Sequence, residues 1–196
     1  LADLGLLDET LQAVHLTQVN DHDIKRLKDH SVSMVTCPAS NMKLASGFAP
    51  LHQILDSQIN LALGTDGAAS NNGLDMLQDM RMAALVAKGV AQDATVLPAK
   101  EALRMATING ARALGLADDV GSLTIGKSAD VVAIDMSHYT MQPAHHPYLS
   151  LVYAHASQHV TDVWIAGKEK LREGQLIDIQ LNDVYNNCTL WYKKTQ

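Results

Sequence analysis

Cysteine is scarce, basic stripes are absent and no apolar run is long. The two cysteines among 196 residues, Cys37 and Cys188, show no metal-type spacing and suggest no disulfide framework. A reducing cytoplasm is the compartment such usage suits. The formal charge is −6, with both signs mixed along the chain, so nucleic acid is not expected as a partner. No apolar run approaches the ~20 residues of a membrane-spanning helix, and no signal-peptide pattern opens the chain. A membrane is therefore not expected as a partner either. There is no internal repeat and no low-complexity segment. An initiator Met is missing too: the chain opens LADLGLLDETLQAVHL, inside what reads as a helix end. That start predicts the C-terminal part of something longer; the alternative is the loss of only a few residues.

What is present suits an ordinary globular protein. The apolar fraction is 47%, and the length allows one sizeable core with a small second one. Residues 11–16 read as a short buried strand. Asn20 or Asp21 can cap a helix over 24–30. A second strand over 31–36 stops at Cys37-Pro38. A helix is predicted over 48–57, with Leu51, Ile54 and Leu55 on one face. Residues 60–64 form a third strand. Helices follow over 74–88, apolar at Leu74, Leu77, Met80, Ala84 and Leu85, and over 98–114, with a Pro in the first turn and Gly115 near the end. Strands alternating with helices imply parallel βαβ units, in either an open doubly wound sheet or part of a (β/α)-barrel.

The pattern changes after Ala117. Residues 120–127 read as a strand and turn, 129–135 as a strand, and 146–156 as a short helix. Two strands over 160–166 and 168–172 surround a turn at Gly167. The tail from 179 reads as helical at first, with a weak apolar stripe at Leu181, Val184 and Tyr185. The division expected is 1–117 for the βα part, 118–178 for a small β unit with a short helix, and 179–196 for the tail.

In parallel α/β folds the C-terminal strand ends carry the chemistry. His15 ends the first strand and Asp66 follows the third. Each has a bland alternative. His15 could be a core histidine satisfied by a backbone carbonyl. Asp66 could be a turn or N-cap aspartate, although Ser70, Asn71 and Asn72 are better placed to cap the helix that follows. Taken together, a strand-end His and a strand-end Asp can share a metal-bound water, whose pKa a metal lowers toward ~7. The Asp can bind the metal and take the proton, and the His can stabilise an oxyanion or orient the water.

AVHLTQ, CPASNMKLASGFAP, LALGTDGAASNNGLDM and GSLTIGKSADVVAID together resemble the amidohydrolase superfamily. The likeness is to its chlorohydrolase/deaminase branch, and within it to 5-methylthioadenosine/S-adenosylhomocysteine deaminases. It covers residues 1 to about 176. The fold implied is α/β: the C-terminal part of a metal-dependent (β/α)8 barrel, strands six to eight, plus part of a small flanking β-sandwich. By resemblance His15 is the strand-six histidine near the reacting carbon. Asp66 is the strand-eight aspartate that ligates the metal, shuttles the proton and touches substrate. Ser70 falls where relatives line the substrate pocket. Asn41 and Lys43, in the SNMKLASG turn, read as loop-structuring. Thr36-Cys37-Pro38 departs from the His-Asn-Pro of many relatives, which changes a pocket wall and no metal ligand.

The resemblance also implies groups that this sequence does not contain. The family's His-x-His on strand one, its strand-five His and the nearby Glu have no counterpart here. His145-His146 reads as a polar turn ahead of Pro147, and His155 and His159 fall on the β side. Asp66 is then the one metal ligand expected from this chain. The cofactor implied is one divalent metal, zinc first, with iron or manganese also suiting an N/O set. The function implied is hydrolytic deamination of an adenine-type purine nucleoside with release of ammonia. Alternatives are a guanine, cytosine or s-triazine hydrolase of the same branch, a non-catalytic scaffold piece completing a partner chain, and an unrelated α/β binding domain in which Asp66 merely caps. Expected partners are the nucleoside substrate, the N-terminal part of the same enzyme and further copies in a homo-oligomer. Three parallel strands alone would leave long unpaired edges, so the chain is not expected to be stable as a free monomer.

Overall fold

A computed structural model describes residues 1–195. The first half is a three-stranded parallel sheet in the order β1 (Gln12–Val14), β2 (Ser33–Thr36), β3 (Leu61–Leu63). Val14 stands opposite Val35, and Val35 opposite Ala62. Parallel neighbours need crossovers, and helices supply them. Helix α1 (Asp21–Asp29) joins β1 to β2. Its N-cap is Asn20, whose side chain accepts from His22 N and Asp23 N, while Asp23 closes a capping box. It buries Ile24 and Leu27, one turn apart. Helices α2 (Pro38–Lys43) and α3 (Leu51–Ser57) join β2 to β3. The first half of the SNMKLASG stretch, Ser40 to Lys43, is therefore helical, and the expected turn is confined to Leu44-Ala45 after it. Pro38 in the first turn needs no N–H donor and presets φ, which starts α2.

After β3 come a single turn, α4 (Ala68–Asn71), and the long α5 (Met76–Ala91). The cap of α5 is Asp75, which accepts from Leu77 N and Gln78 N, and not Ser70, Asn71 or Asn72. Its buried face is Asp79, Met80, Ala83, Ala84 and Ala87. Leu74 and Leu85, expected inside, are half exposed. The helix packs close through alanines; Leu77 still packs against the core, Leu85 points outward, and Leu74 precedes the helix. Residues 98–114 form two helices, α6 (Ala99–Met105) and α7 (Ile108–Ala113). The break lies at Thr107, with φ −131° and ψ −102°, and its hydroxyl bonds back to the Leu103 carbonyl at 2.7 Å. Asn109 of α7 donates to the Leu61 carbonyl of β3 at 3.0 Å, satisfying an acceptor on an edge strand. Met34, Ile54, Leu61, Met80 and Met105 form the centre of this core.

The second half is a four-stranded antiparallel sheet in the order β4 (Val131–Ile134), β5 (Val160–Ile165), β6 (Lys168–Arg172), β7 (Gln175–Leu176). Ala166-Gly167 and Glu173-Gly174 both have positive φ and close two-residue hairpins. No strand forms over 120–127: Leu123 and Ile125 are wholly exposed and the segment runs as turns. Gly121 explains part of this. Its φ is +87°, and a Cβ there would meet Ala111 Cβ at 2.7 Å. Helix α8 (Pro147–Tyr153) lies between β4 and β5 in sequence, yet its Val152 joins the core of the parallel half. Helix α9 (Leu181–Thr195) buries none of its side chains. Among the described residues no helix is long and apolar enough to cross a membrane.

Candidate active site

The parallel sheet ends its strands in unusual backbone. His15 directly follows β1 with φ 72°, and Leu16 has φ 47°. Asp66 lies three residues past β3 with φ 61°. Left-handed conformations at non-glycine residues carry strain and persist only where surroundings hold them. Here the holding bonds are visible. His15 N donates to the Val35 carbonyl at 2.9 Å, and Gly64 N donates to the Thr36 carbonyl at 2.9 Å. Gly64 leaves no room for a side chain: a Cβ would lie 3.2 Å from both Cys37 Sγ and Val35 Cγ1.

Helix α2 reaches both candidates. Ser40 and Asn41 are adjacent on it and nearly fully buried, at 1% and 3% exposure. Neighbours in a helix point about 100° apart, so one helix can serve two targets. Ser40 Oγ donates to Asp66 Oδ2 at 2.6 Å. His15 Nδ1 donates to Asn41 Oδ1 at 2.8 Å. The other ring nitrogen, Nε2, stands 3.9 Å from Asp66 Oδ2. The other carboxylate oxygen accepts from Gly67 N at 2.7 Å. The Ser40 hydroxyl, the nearby Ser70 hydroxyl and the Gly67 amide hold the Asp66 carboxyl down at about 2. Ser70 adds to this by proximity, although its own directional bond goes to the Gly67 carbonyl at 3.0 Å. Asp66 is thus an anion throughout the neutral range, beside an imidazole nitrogen.

The structure brings His15 and Asp66 together and puts Ser70 one turn further along, in α4. Lys43 ties the end of α2 to the Ala69 carbonyl at 2.9 Å and to Asn72, a loop-structuring role. Asn41 does more than structure a loop, because it orients the His15 ring. By sequence Ser40, with Asn41, is able to bond the local backbone, yet its hydroxyl goes to Asp66; nothing local in the sequence marks Asp79. His145, His146, His155 and His159 lie outside this constellation, His146 as the residue before α8. A cavity of about 390 Å³ between α5 and the α8–β5 connection, lined in part by Arg81, His155 and Gln158, contains none of the three predicted residues.

As a metal site the arrangement is a share and not a whole. Among the described residues no group of three or more His, Cys, Asp or Glu side chains is placed to hold an ion. A catalytic zinc typically takes about three protein ligands. Asp66 fits as one such donor: it is ionised, half solvated and oriented by its neighbours. The remaining donors would have to come from outside these residues.

The chain is similar to known proteins over nearly its whole length. The 5-methylthioadenosine/S-adenosylhomocysteine deaminase of Teredinibacter turnerae is 45% identical over 194 residues, which is 99% of this chain and 44% of that protein. The zinc-bound crystal structure of an adenosine deaminase from Xanthomonas campestris superposes with a TM-score of 0.96 at 48% identity, over 98% of this chain and 44% of that one. The zinc complex of an atrazine chlorohydrolase from Arthrobacter aurescens gives 0.90 at 27% identity, over 96% and 42%. The chain thus spans less than half the length of the relatives it matches. The profile of the amidohydrolase family matches residues 1–170. On that match, and on these superpositions, the chain belongs to the amidohydrolase family.

Proposed function

We propose that this chain supplies one side of the active site of a metal-dependent deaminase acting on an adenine-type nucleoside such as 5'-methylthioadenosine or S-adenosylhomocysteine. The observation that carries the reading is the paired strand-end geometry: an Asp66 carboxylate held ionised by Ser40 and Gly67, with His15 Nε2 3.9 Å away. The names of the similar proteins supply the substrate class. In this reading β1, β2 and β3 are the sixth, seventh and eighth strands of a (β/α)8 barrel. The antiparallel sheet is part of a flanking β-sandwich, and the other strands come from a complementary portion of the enzyme.

Asp66 would hold a divalent cation, zinc by analogy with the zinc-bound neighbours, together with histidines from that complementary portion. When bound, such a cation acidifies the attacking water. The ring nitrogen that takes up the electron pair would gain its proton from the complementary portion, and the residues of this chain handle the protons of the water and the amine. Asp66 takes a proton from the water as its oxygen bonds to the amino-bearing ring carbon. It then returns that proton to the departing amine, and ammonia leaves. His15, with Nδ1 fixed on Asn41, presents Nε2 to the same region and orients the attacking water. Ser70 lines the substrate side.

The test is ammonia release from 5'-methylthioadenosine, followed by ultraviolet absorbance. The sample is the chain assembled with the barrel portion its relatives possess, loaded with zinc. Turnover that is lost on chelation and restored by zinc is expected. A loaded assembly that releases no ammonia from this nucleoside or from S-adenosylhomocysteine refutes the substrate class.

A further inference from the structure

Asp79 is the one charged residue on the buried face of α5, among Met80, Ala83, Ala84 and Ala87. It is 1% exposed. A buried carboxylate is costly unless its oxygens are hydrogen-bonded, and an apolar residue would pack there at no such cost. Both oxygens are used, and their partners are informative. Oδ1 accepts from Ala39 N, in the first turn of α2, at 3.1 Å. Oδ2 accepts from Asn71 Nδ2 at 2.7 Å, and the same amide donates to the Thr65 carbonyl at 2.8 Å. Burial pushes the Asp79 carboxyl upward, and the two N–H donors oppose that rise.

One arm therefore holds the helix whose next two residues, Ser40 and Asn41, grip Asp66 and His15. The other holds the residue immediately before Asp66. We infer that Asp79 is a positioning residue for the His15–Asp66 pair: by bonding Ala39 N and Asn71 it fixes the start of α2 relative to the 65–66 backbone, and so sets where both side chains point. Neither Asp79 nor Asn71 touches the reacting atoms; each acts through another residue. This inference rests on the functional reading above for its catalytic consequence, but not for its geometry.

The test pairs a spectroscopic readout with a kinetic one. Asp79→Asn keeps the side-chain shape and an acceptor for Ala39 N, but turns an NH2 toward the Asn71 amide, donor against donor. In the ¹⁵N-labelled assembly the His15 ring nitrogens should shift, because Asn41 no longer holds Nδ1 in one place. In turnover, Asp79→Asn and Ser40→Ala should each lower kcat about tenfold with KM within about twofold, the scale seen for residues that orient site groups. The double variant should fall no further than the worse single, since both act through one helix. A purely structural Asp79 would lower the melting temperature and leave the His15 nitrogens in place. Unmoved His15 nitrogens in a folded variant, or a double variant equal to the product of the singles, overturns the inference. Should Asp79→Asn not fold, Asn71→Ala removes the second arm from a part-exposed residue, and the same two readouts decide. If the parent assembly releases no ammonia, the deaminase reading fails while the nitrogen shifts still decide this one.

Discussion

The two sheets are built to different rules. All three residues of β3 are buried, as are three of the four in β2, whereas no residue of β4, β5, β6 or β7 is, nor any of the parallel sheet's edge strand β1. A parallel sheet is covered on both faces by its crossover helices, and its strands read as apolar runs. An antiparallel hairpin sheet closes through tight turns and tolerates exposure. The backbone follows the same division. In the antiparallel sheet positive φ marks the two hairpin turns at 166–167 and 173–174. In the parallel half it marks helix ends such as Gln58 and Gln92, and also His15 and Asp66, where side chains converge and no hairpin needs it. Left-handed backbone serves chain reversal in both regions, and at the two strand ends it serves side-chain placement as well.

Substitution can break that contrast. The largest effect is expected at the strand ends. Asp66→Asn should lower kcat of the assembled enzyme by about 10³-fold, about 4 kcal/mol in the barrier, while the assembly stays folded. Asp162→Asn, in β5, should leave kcat within about twofold, because Asp162 accepts the Glu173 amide of a hairpin and an Asn can still do so. Steady-state kinetics on both variants checks the pair. In the cores the contrast is one of stability. Met34→Ala, from a residue 1% exposed, should cost about 2–5 kcal/mol, and Val132→Ala, from one 55% exposed, within about 0.5 kcal/mol. Urea unfolding measures both. A smaller effect is expected one bond away from the chemistry. Ser40→Ala removes the 2.6 Å bond to Asp66 and should lower kcat about tenfold.

Much of the parallel half was legible in the sequence because local signals and tertiary demands agree there. Asn20 caps α1, apolar runs mark β2 and β3, and GTD places Asp66 just beyond a strand. The readings that failed depended on partners distant in sequence. Ser and Asn in SNMK are turn formers by their local chemistry. They sit in a helix because Ala39 N, Ser40 and Asn41 each find a partner far along the chain. Leu85 looked like core by periodicity, but α5 needs small residues where it packs closely, so the alanines face inward. Leu123 and Ile125 alternate as a strand should, yet a strand needs a neighbour, and among the described residues none pairs with them. Asp79 had no motif at all: its meaning lies in two hydrogen bonds spanning 40 and 8 positions.

The finest contrast lies between two thiols. Cys37 follows β2 and is 2% exposed, with its sulfur against Gly64; Cys188 lies on α9 and is exposed. Burial, with the Asp66 and Asp79 carboxylates adding to it, pushes the Cys37 thiol up to about 11. Thiolates and not thiols react with alkylating agents, so iodoacetamide at pH 8 should modify Cys188 and spare Cys37. Intact mass would then show one adduct, and peptide mapping would place it on α9. The same shift has a sign in stability. The fold prefers the protonated thiol more than the unfolded chain does, so this contribution is complete below about pH 9. It is lost as pH rises from there toward about 11. Subtracting the melting curve of Cys37→Ala from that of the parent between those limits isolates it from the lysines and tyrosines that titrate nearby. Two adducts formed at equal rates, or a difference curve flat in pH, would mean that the end of β2 is open to water and not packed as described.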